Sequence, residues 1–199
     1  MFEIKDISKG LDKCQFLPLN NIICSKSNLR KCIEYQLSHS NNLLKLLYYD
    51  SPNPLSEPDI VDKNGDIIDY DFFRDNIKGK CLSYTDKLNT DNPKTESGSI
   101  LTVGIYGRSN YHNEFSNINI HFSILVSEDI LELYDSSNRI DLIQLELFKL
   151  FDKSESPFFV GKMNFSSFAD ITIPVSYRGE RLTFIVTEMN RNWEKYRNV

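Results

Sequence analysis

The feature that most constrains the fold is a strict alternation of apolar and polar side chains between residues 118 and 126. The apolar positions are Ile118, Ile120, Phe122, Ile124 and Val126. Successive side chains of a β-strand point to opposite faces of the sheet, so this pattern predicts a strand with one buried face. In the preceding segment, residues 100–106, the same spacing holds for Leu101, Val103 and Ile105. The two segments therefore predict neighbouring strands of a sheet with one apolar face.

Three segments have the spacing of amphipathic helices. The first covers residues 28–37 and the second, dense in leucine, covers residues 41–49. The second helix must end there, because the residue before Pro52 is forced out of the α region. The third helix is predicted at residues 138–151, with one of the two serines just before it as its N-terminal cap.

Two further strands are predicted after the third helix. One alternates at Ala169, Ile171, Ile173, Val175 and Tyr177. The segment "YRGER" (177–181) is predicted to turn the chain into the last strand, "LTFIVTEM" (182–189). Pro174 has no N–H for a sheet ladder, so its strand is expected at an edge or at a bulge. The fold class predicted is α+β, a mainly antiparallel four-stranded sheet with helices packed on one face, in the order α-β-β-α-β-β.

The domain organisation follows from the length and from where periodicity is lost. A chain of 199 residues is about one domain. Residues 1–24 are predicted to form an N-terminal arm, and residues 25–199 a single α+β domain with a long loop at 51–99. A structureless loop of this length is uncommon unless it docks something. The residues expected in the core include Ile120, Phe122, Ile124, Ile143, Leu147, Ile171 and Ile173.

Charge and composition argue against several classes of protein. The net charge is −5, whereas a protein that grips nucleic acid phosphates needs a basic face. The polar face of the predicted sheet lacks the aromatic and basic side chains of an RNA-binding sheet. The four cysteines form no CxxC pair, so free thiols in a reducing compartment are expected. A charged N-terminus and the lack of a long apolar run predict assembly in the cytoplasm and no membrane contact.

Catalytic and cofactor motifs are missing from the sequence. It has no G-x-S-x-G elbow, no phosphate-binding G-x-x-x-x-G-K-[ST] and no H-E-x-x-H. The acidic stretch "DKNGD" (62–66) resembles part of a calcium loop, but Ile60 stands where the first oxygen ligand is required. We expect no enzymatic activity, no cofactor and no metal.

Two segments have the composition of contact surfaces. Residues 106–117, "YGRSNYHNEFSN", join two adjacent strands by about a dozen residues where two to five suffice. Their aromatic, Asn and Arg side chains suit an adaptable interface, so we predict a protruding β-hairpin that touches a neighbour; the alternative is a loose hairpin tip. With the proline-rich arm at 51–75, they are interpreted as a surface that meets a neighbouring subunit. The candidate interface residues are Tyr106, Arg108, Tyr111, His112, Phe115, Pro52, Pro54, Leu55 and Pro58.

The order of elements, with an extended hairpin between the first two strands, resembles the tail-terminator and head–tail joining (neck) proteins of tailed bacteriophages. The resemblance covers about residues 28–192. It rests on "SNNLLKLLYYDSPNPLSEPDI", "NINIHFSILVSEDILELYDSSNRIDLIQLELFKLF" and the final "GKMNFSSFADITIPVSYRGERLTFIVTEMN".

The resemblance implies a structural virion protein of the head–tail junction, assembled in the host cytoplasm. It would form a homo-oligomeric ring, expected to be a hexamer, that terminates the tail tube and joins it to the head–neck. The implied partners are other copies of the chain, the tail tube protein and neck or portal-side adaptor proteins. Genomic DNA would pass through without specific binding, which a polar or acidic lining favours. The alternative is a small cytoplasmic protein-binding module of inhibitor or immunity type, since such a module is also acidic and free of catalytic motifs.

Overall fold

The computed structural model describes residues 26–84, 98–112, 115–154, 160–171 and 176–189. Its helices are α1 (Lys26–Ser38), α2 (Asn41–Tyr48), the short α3 (Tyr70–Phe72), which continues into a π-helical turn (Phe73–Ile77), and α4 (Arg139–Phe151). The three predicted helices are therefore confirmed as α1, α2 and α4, although the cap of α4 is Asn138 and not one of the serines before it. None of the helices in these ranges has the length and hydrophobicity needed to span a bilayer.

The strands form one mixed, mostly antiparallel sheet. They are β1 (Leu82–Ser83), β2 (Ser99–His112), β3 (Phe115–Ser127), β4 (Val160–Asp170) and β5 (Tyr177–Met189). Their order in the sheet is β1-β2-β3-β5-β4, with β1 parallel to β2 and the other pairs antiparallel. The fold is thus α+β, as predicted, and β3 lies at the centre of the sheet.

One apolar cluster joins the helices to one face of the sheet. Alternating residues of β3, from Ile118 to Val126, are fully buried together with residues of α1, α2 and α4. The ring of Phe122 stacks on Phe151 with 4.8 Å between centroids and meets Phe184 edge-on at 5.6 Å. The alternation in residues 118–126 therefore predicted the buried face correctly. Of the expected core, Ile120, Phe122, Ile124, Ile143 and Leu147 are buried.

The prediction of four strands and a long loop at 51–99 was wrong in two respects. The sheet has a fifth strand, β1, which is too short for any periodicity but is held where Leu101 N–H donates to Cys81 O at 2.7 Å. The segment also contributes to the core through Ile60, Val61, Phe73, Ile77 and Leu82. Much of it is therefore packed structure. Residues 85–97 and the predicted arm at 1–24 lie outside the described residues.

The extended β-hairpin predicted at 106–117 is confirmed, but its two strands are paired over more of the segment than the sequence suggested. Strands β2 and β3 pair through most of this segment, as far as His112 opposite Phe115. Two irregularities, between Tyr106 and Arg108 and between Asn110 and His112, each insert one unpaired residue into β2. Such bulges break strict alternation, which explains why the segment does not look like a strand in the sequence.

The boundaries of the last two strands were misplaced. Strand β4 ends at Asp170, and "YRGER" belongs to β5 instead of forming a turn. Ile171, expected in the core, follows β4 and is half-buried, while Ile173 and Pro174 lie outside the described residues. The alternation at 169–177 therefore spans the end of one strand and the start of the next.

The outer edge of β4 is bonded to the segment that follows α4. Lys153 N–H donates to Met163 O at 2.8 Å, and Met163 N–H donates to Ser154 O at 2.9 Å. The Asp152 carboxylate accepts the Phe165 N–H at 3.2 Å. These bonds occupy outward backbone groups of β4 at residues 163–165.

Candidate functional site

Arg139 organises one end of the molecule from a fully buried position at the start of α4. Its Nε donates to Ile130 O at 2.9 Å, and its Nη2 donates to Ser51 O at 2.7 Å. Its Nη1 donates to Leu46 O at 3.1 Å and to Tyr49 O at 2.6 Å. A guanidinium presents its N–H donors in a fixed fork, so one side chain ties α4 to the end of α2 and to the chain that leaves it.

The charge of Arg139 faces the negative end of a helix. The carbonyls of Leu46 and Tyr49 belong to the end of α2, where the helix dipole favours a cation. Burial lowers the pKa of Arg139, and the nearby Asp50 opposes this by raising it. Because arginine stays protonated in proteins, the site holds a permanent buried cation.

Residues 133–138 form a tight turn that presents Tyr134 to solvent. Leu133 N–H donates to Ser137 O at 3.0 Å. The Asp135 carboxylate accepts the N–H and the hydroxyl of Ser137 at 3.0 and 2.6 Å, and these bonds lower the pKa of Asp135. Tyr134 is 86% exposed on this turn. The turn is thus fixed by its own hydrogen bonds while it exposes a large aromatic side chain.

A second turn, Pro54–Ser56, packs beside the first. Pro54 is buried, whereas Leu55 is 42% exposed. The two turns are joined where Tyr134 N–H donates to Pro52 O at 2.9 Å. Between them lies an open groove of about 180 Å³, lined chiefly by Pro52, Leu55, Leu133, Tyr134, Asp135 and Leu142. We call this feature the apolar groove.

The proline-rich segment is fixed at its other end by the first turn of α2. Asn41 Oδ1 accepts the N–H groups of Ile60 and Val61 at 2.9 and 3.1 Å, and Asn41 Nδ2 donates to Asp59 at 2.7 Å. The buried Lys45 forms an ion pair with the same Asp59 carboxylate at 3.1 Å. The segment therefore lies against α2 as part of the folded body.

These contacts predict an acid-sensitive contribution from Asp59. Hydrogen bonds from Asn41 and Lys45 and the charge of Lys45 lower the pKa of Asp59. A carboxylate with a lowered folded-state pKa stabilises the protein above its unfolded-state pKa, near 3.9, and loses this effect as pH falls through the folded-state pKa. We expect the urea midpoint of Asp59→Asn to fall less than that of the wild type between about pH 5 and pH 2.

An Asn41→Ala background is the control for this prediction. Asn41→Ala removes the strongest cause of the lowered pKa of Asp59. In this background, Asp59→Asn should therefore have a smaller effect on how the urea midpoint depends on pH. Equal slopes for the wild type and Asp59→Asn would contradict the assignment.

The sequence model of one family, YomW, matches residues 40–186, well over half of the chain. The chain belongs to the YomW family. No curated protein matches the sequence. The YomW match begins at the N-cap of α2 and ends within β5, so it includes Arg139 and every residue of the apolar groove.

Four predicted interface residues of this YomW-family chain lie in the proline-rich segment. Pro52 and Leu55 line the apolar groove and are exposed. Pro58 is also exposed, and its carbonyl accepts the Tyr49 hydroxyl at 3.1 Å. Pro54 is buried and also lines the groove.

The other five predicted interface residues belong to the β2–β3 hairpin. Tyr106 is 37% exposed, and its ring packs against His121 with 4.5 Å between centroids. The backbones of the remaining four lie in β2 and β3, and their side chains are outside the described part of the structure: Arg108, Tyr111, His112 and Phe115. The hairpin end of β3 is opposite the end that leads to α4. The structure therefore keeps the two groups of predicted residues apart.

Neither Arg139 nor Tyr134 was predicted from the sequence of this YomW-family chain. A signal for Arg139 existed, because the helix dipole disfavours a cation in the first turn of a helix. A basic residue there, just after a capping Asn138, indicates a partner other than its own helix. Tyr134 carries no such signal, since its exposure depends on the turn around it.

The acidic stretch at 62–66 uses its first carboxylate for its own turn. Asp62 Oδ1 accepts the N–H groups of Asp66 and Asn64 at 2.9 and 2.8 Å, and these bonds lower the pKa of Asp62. Within the ranges that the structure describes, no three His, Cys, Asp or Glu side chains are grouped to hold a metal ion.

Proposed function

We propose that this YomW-family chain is a structural virion protein that forms a ring at the head–tail junction of a tailed bacteriophage. The ring terminates the tail tube and joins it to the head–neck. The observation that carries the proposal is the connectivity of the main elements. Helices α1 and α2 are followed by β2, β3, α4, β4 and β5, the α-β-β-α-β-β order expected from the resemblance. The short α3 and β1 are additions to that order.

A stiff extension of the sheet supports a role in subunit contacts. Beyond the fully buried Ile118, β3 continues to Phe115 and stays paired on both sides, with His112 of β2 and with Met189 of β5. Three paired strands keep their shape when they bind, so little conformational entropy is lost on contact. This extension carries Tyr111, His112 and Phe115, whereas Arg108 and Tyr106 lie opposite Ile118 and Asn119.

The positions of the two candidate surfaces support head-to-tail assembly. The hairpin lies at one end of the sheet and the apolar groove at the other. Identical subunits joined through two different surfaces close into a ring when the rotation between neighbours closes. We propose a hexamer whose partners are its own copies, the tail tube protein and neck or portal-side adaptors. It acts through contacts, without chemistry or a cofactor, and DNA passes through it without specific binding.

Shortening the hairpin tests this proposal. Replacing residues 110–116 with Asn-Gly keeps the pair Ser109 and Asn117 on either side of a two-residue turn and retains Ile118. We expect the variant to fold with an unchanged circular dichroism spectrum but to lose the ring in mass photometry. A control variant, Lys63→Ala in the exposed turn at 62–66, should assemble like the wild type.

Two results would count against the proposal in different ways. If the wild-type protein stays monomeric at micromolar concentration, the proposal of a ring is wrong, and the small protein-binding module is favoured. If the shortened variant still forms rings, the deleted hairpin residues do not contribute to the subunit contact, but the proposal of a ring is unaffected.

A further inference from the structure

The apolar groove has the size and lining of a site for an aromatic side chain. Its volume of about 180 Å³ exceeds the roughly 150 Å³ of an engineered apolar cavity that binds benzene. Proline and leucine residues and Tyr134 form most of its lining, and Asn53 and Asp135 complete it. Because both turns that form it are held by backbone hydrogen bonds, the groove exists before anything binds.

The surroundings of the groove are acidic. Three exposed carboxylates belong to the segment that forms one side of it: Glu132, Asp135 and Asp141. Within the lining segments, residues 50–57 and 131–142, the one basic residue is Arg139, and its charge is buried. The matching ligand is therefore an aromatic side chain flanked by basic residues.

The sequence contains such a segment directly after β5. Residues 190–199, "NRNWEKYRNV", lie outside the described part of the structure. They include Trp193, the single tryptophan of the sequence, and three basic residues against one acidic residue, Glu194. This basic excess stands out in a chain whose net charge is −5.

Trp193 cannot reach the groove of its own subunit. The groove is lined by Leu142 of α4. Two residues later in the same helix, Gln144 donates a hydrogen bond to Glu180 of β5, and Glu180 is paired with Ile124 of β3. The groove therefore lies near the level of Ile124, nine residues of β3 or about 30 Å from Phe115. Strand β5 ends at Met189, opposite Phe115. Four extended residues carry Trp193 at most about 14 Å from Met189.

We propose that Trp193 of one subunit docks in the apolar groove of the next subunit. The neighbouring basic residues Arg191, Lys195 and Arg197 then face the carboxylates of the groove segment. The contact joins the β5 end of one chain to the α4 end of another, so it is directional. It deepens the proposed function and rests on it, since a directional contact between copies is what closes a ring.

The single tryptophan supplies a direct measurement. We expect its fluorescence emission to shift to the blue as the wild type assembles, because the indole leaves water. Leu55→Glu, which puts a charge in the groove, should abolish the shift and weaken association by about 30-fold or more, as does loss of a buried aromatic anchor. Leu145→Glu is the matched control, since Leu145 is 48% exposed on α4 but does not line the groove.

Mixing two variants tests whether the contact runs between subunits. Trp193→Ala lacks the ligand and Leu55→Glu lacks the site, so each should be monomeric alone. Together they keep one intact contact, between residues 190–199 of Leu55→Glu and the apolar groove of Trp193→Ala. We expect the mixture, and neither variant alone, to form dimers with blue-shifted emission.

The outcomes separate this inference from the proposed function. If Leu55→Glu still forms the ring and its tryptophan emission equals that of the wild type, Trp193 does not dock in the groove, but the ring itself is supported. A wild type that is monomeric with water-exposed tryptophan would overturn both. Loss of the ring in Leu145→Glu as well would also overturn the inference, because the effect would then not be specific to the groove.

Discussion

Arg139→Met is expected to lower the free energy of unfolding by about 3–5 kcal/mol, because leaving a buried hydrogen-bonding group without its partner costs about 1–3 kcal/mol and several carbonyls lose theirs together. Methionine fills much of the same space but donates no hydrogen bond. The carbonyls of Ile130, Leu46, Tyr49 and Ser51 would then be left without their guanidinium donor. Each buried carbonyl that loses its partner carries a desolvation cost of its own. Urea unfolding followed by circular dichroism measures the loss.

Two further variants make the result specific. Arg139→Lys keeps the charge but has one nitrogen, which cannot reach carbonyls on several sides, so we expect an intermediate loss. Arg74→Met removes an exposed arginine that pairs with Asp71 and Asp75, and it should leave the melting temperature nearly unchanged. Equal stability of Arg139→Met and the wild type would show that the buried hydrogen bonds make no net contribution.

Phe122→Ala is expected to cost about 3–5 kcal/mol of unfolding free energy. Phe122 is fully buried on the central strand and contacts the rings of Phe151 and Phe184. Its removal leaves a cavity between α4 and the sheet, and the rigid neighbours can close it only in part. Chemical denaturation at a fixed pH gives the value.

The matched control for this prediction is Phe168→Ala. It deletes the same side chain from a position on β4 that is 72% exposed. A surface change of this kind is usually within about 0.5 kcal/mol. If both substitutions cost the same, the assignment of the buried face of the sheet is wrong.

The sequence predicted those parts of the fold in which the hydrophobic pattern is unbroken. The alternation in β3 and the helical spacing in α4 each reflect one buried face along the whole element, so pattern and structure agree. Strand β5 fails this rule because charged residues near its start are individually paired. Arg181 Nε donates to Ser123 Oγ at 3.1 Å, and Arg178 forms an ion pair with Glu128 at 3.1 Å. Such pairs let a strand carry charges that otherwise indicate a turn.

The candidate site was harder to predict because its parts come from distant segments. Leu55 and Pro52 were identified from the proline-rich composition alone. The carbonyls that hold Arg139 at α2 and Ser51 lie 88–93 residues earlier in the chain. No local pattern records a contact with a backbone carbonyl, since every residue has one. The groove therefore becomes visible only when the turn at 133–138 is placed against the turn at 54–56.

The hydrogen bonds at the outer edge of β4 limit how copies of the chain can associate through their backbones. An open strand edge is a template on which further strands add without limit, and fibrils grow in this way. At residues 163–165 of β4 the outward groups are already bonded to Asp152, Lys153 and Ser154. An incoming strand would have to displace them before it could pair there. Copies of the chain can therefore be concentrated with their side chains in contact while residues 163–165 of this edge stay closed to strand addition.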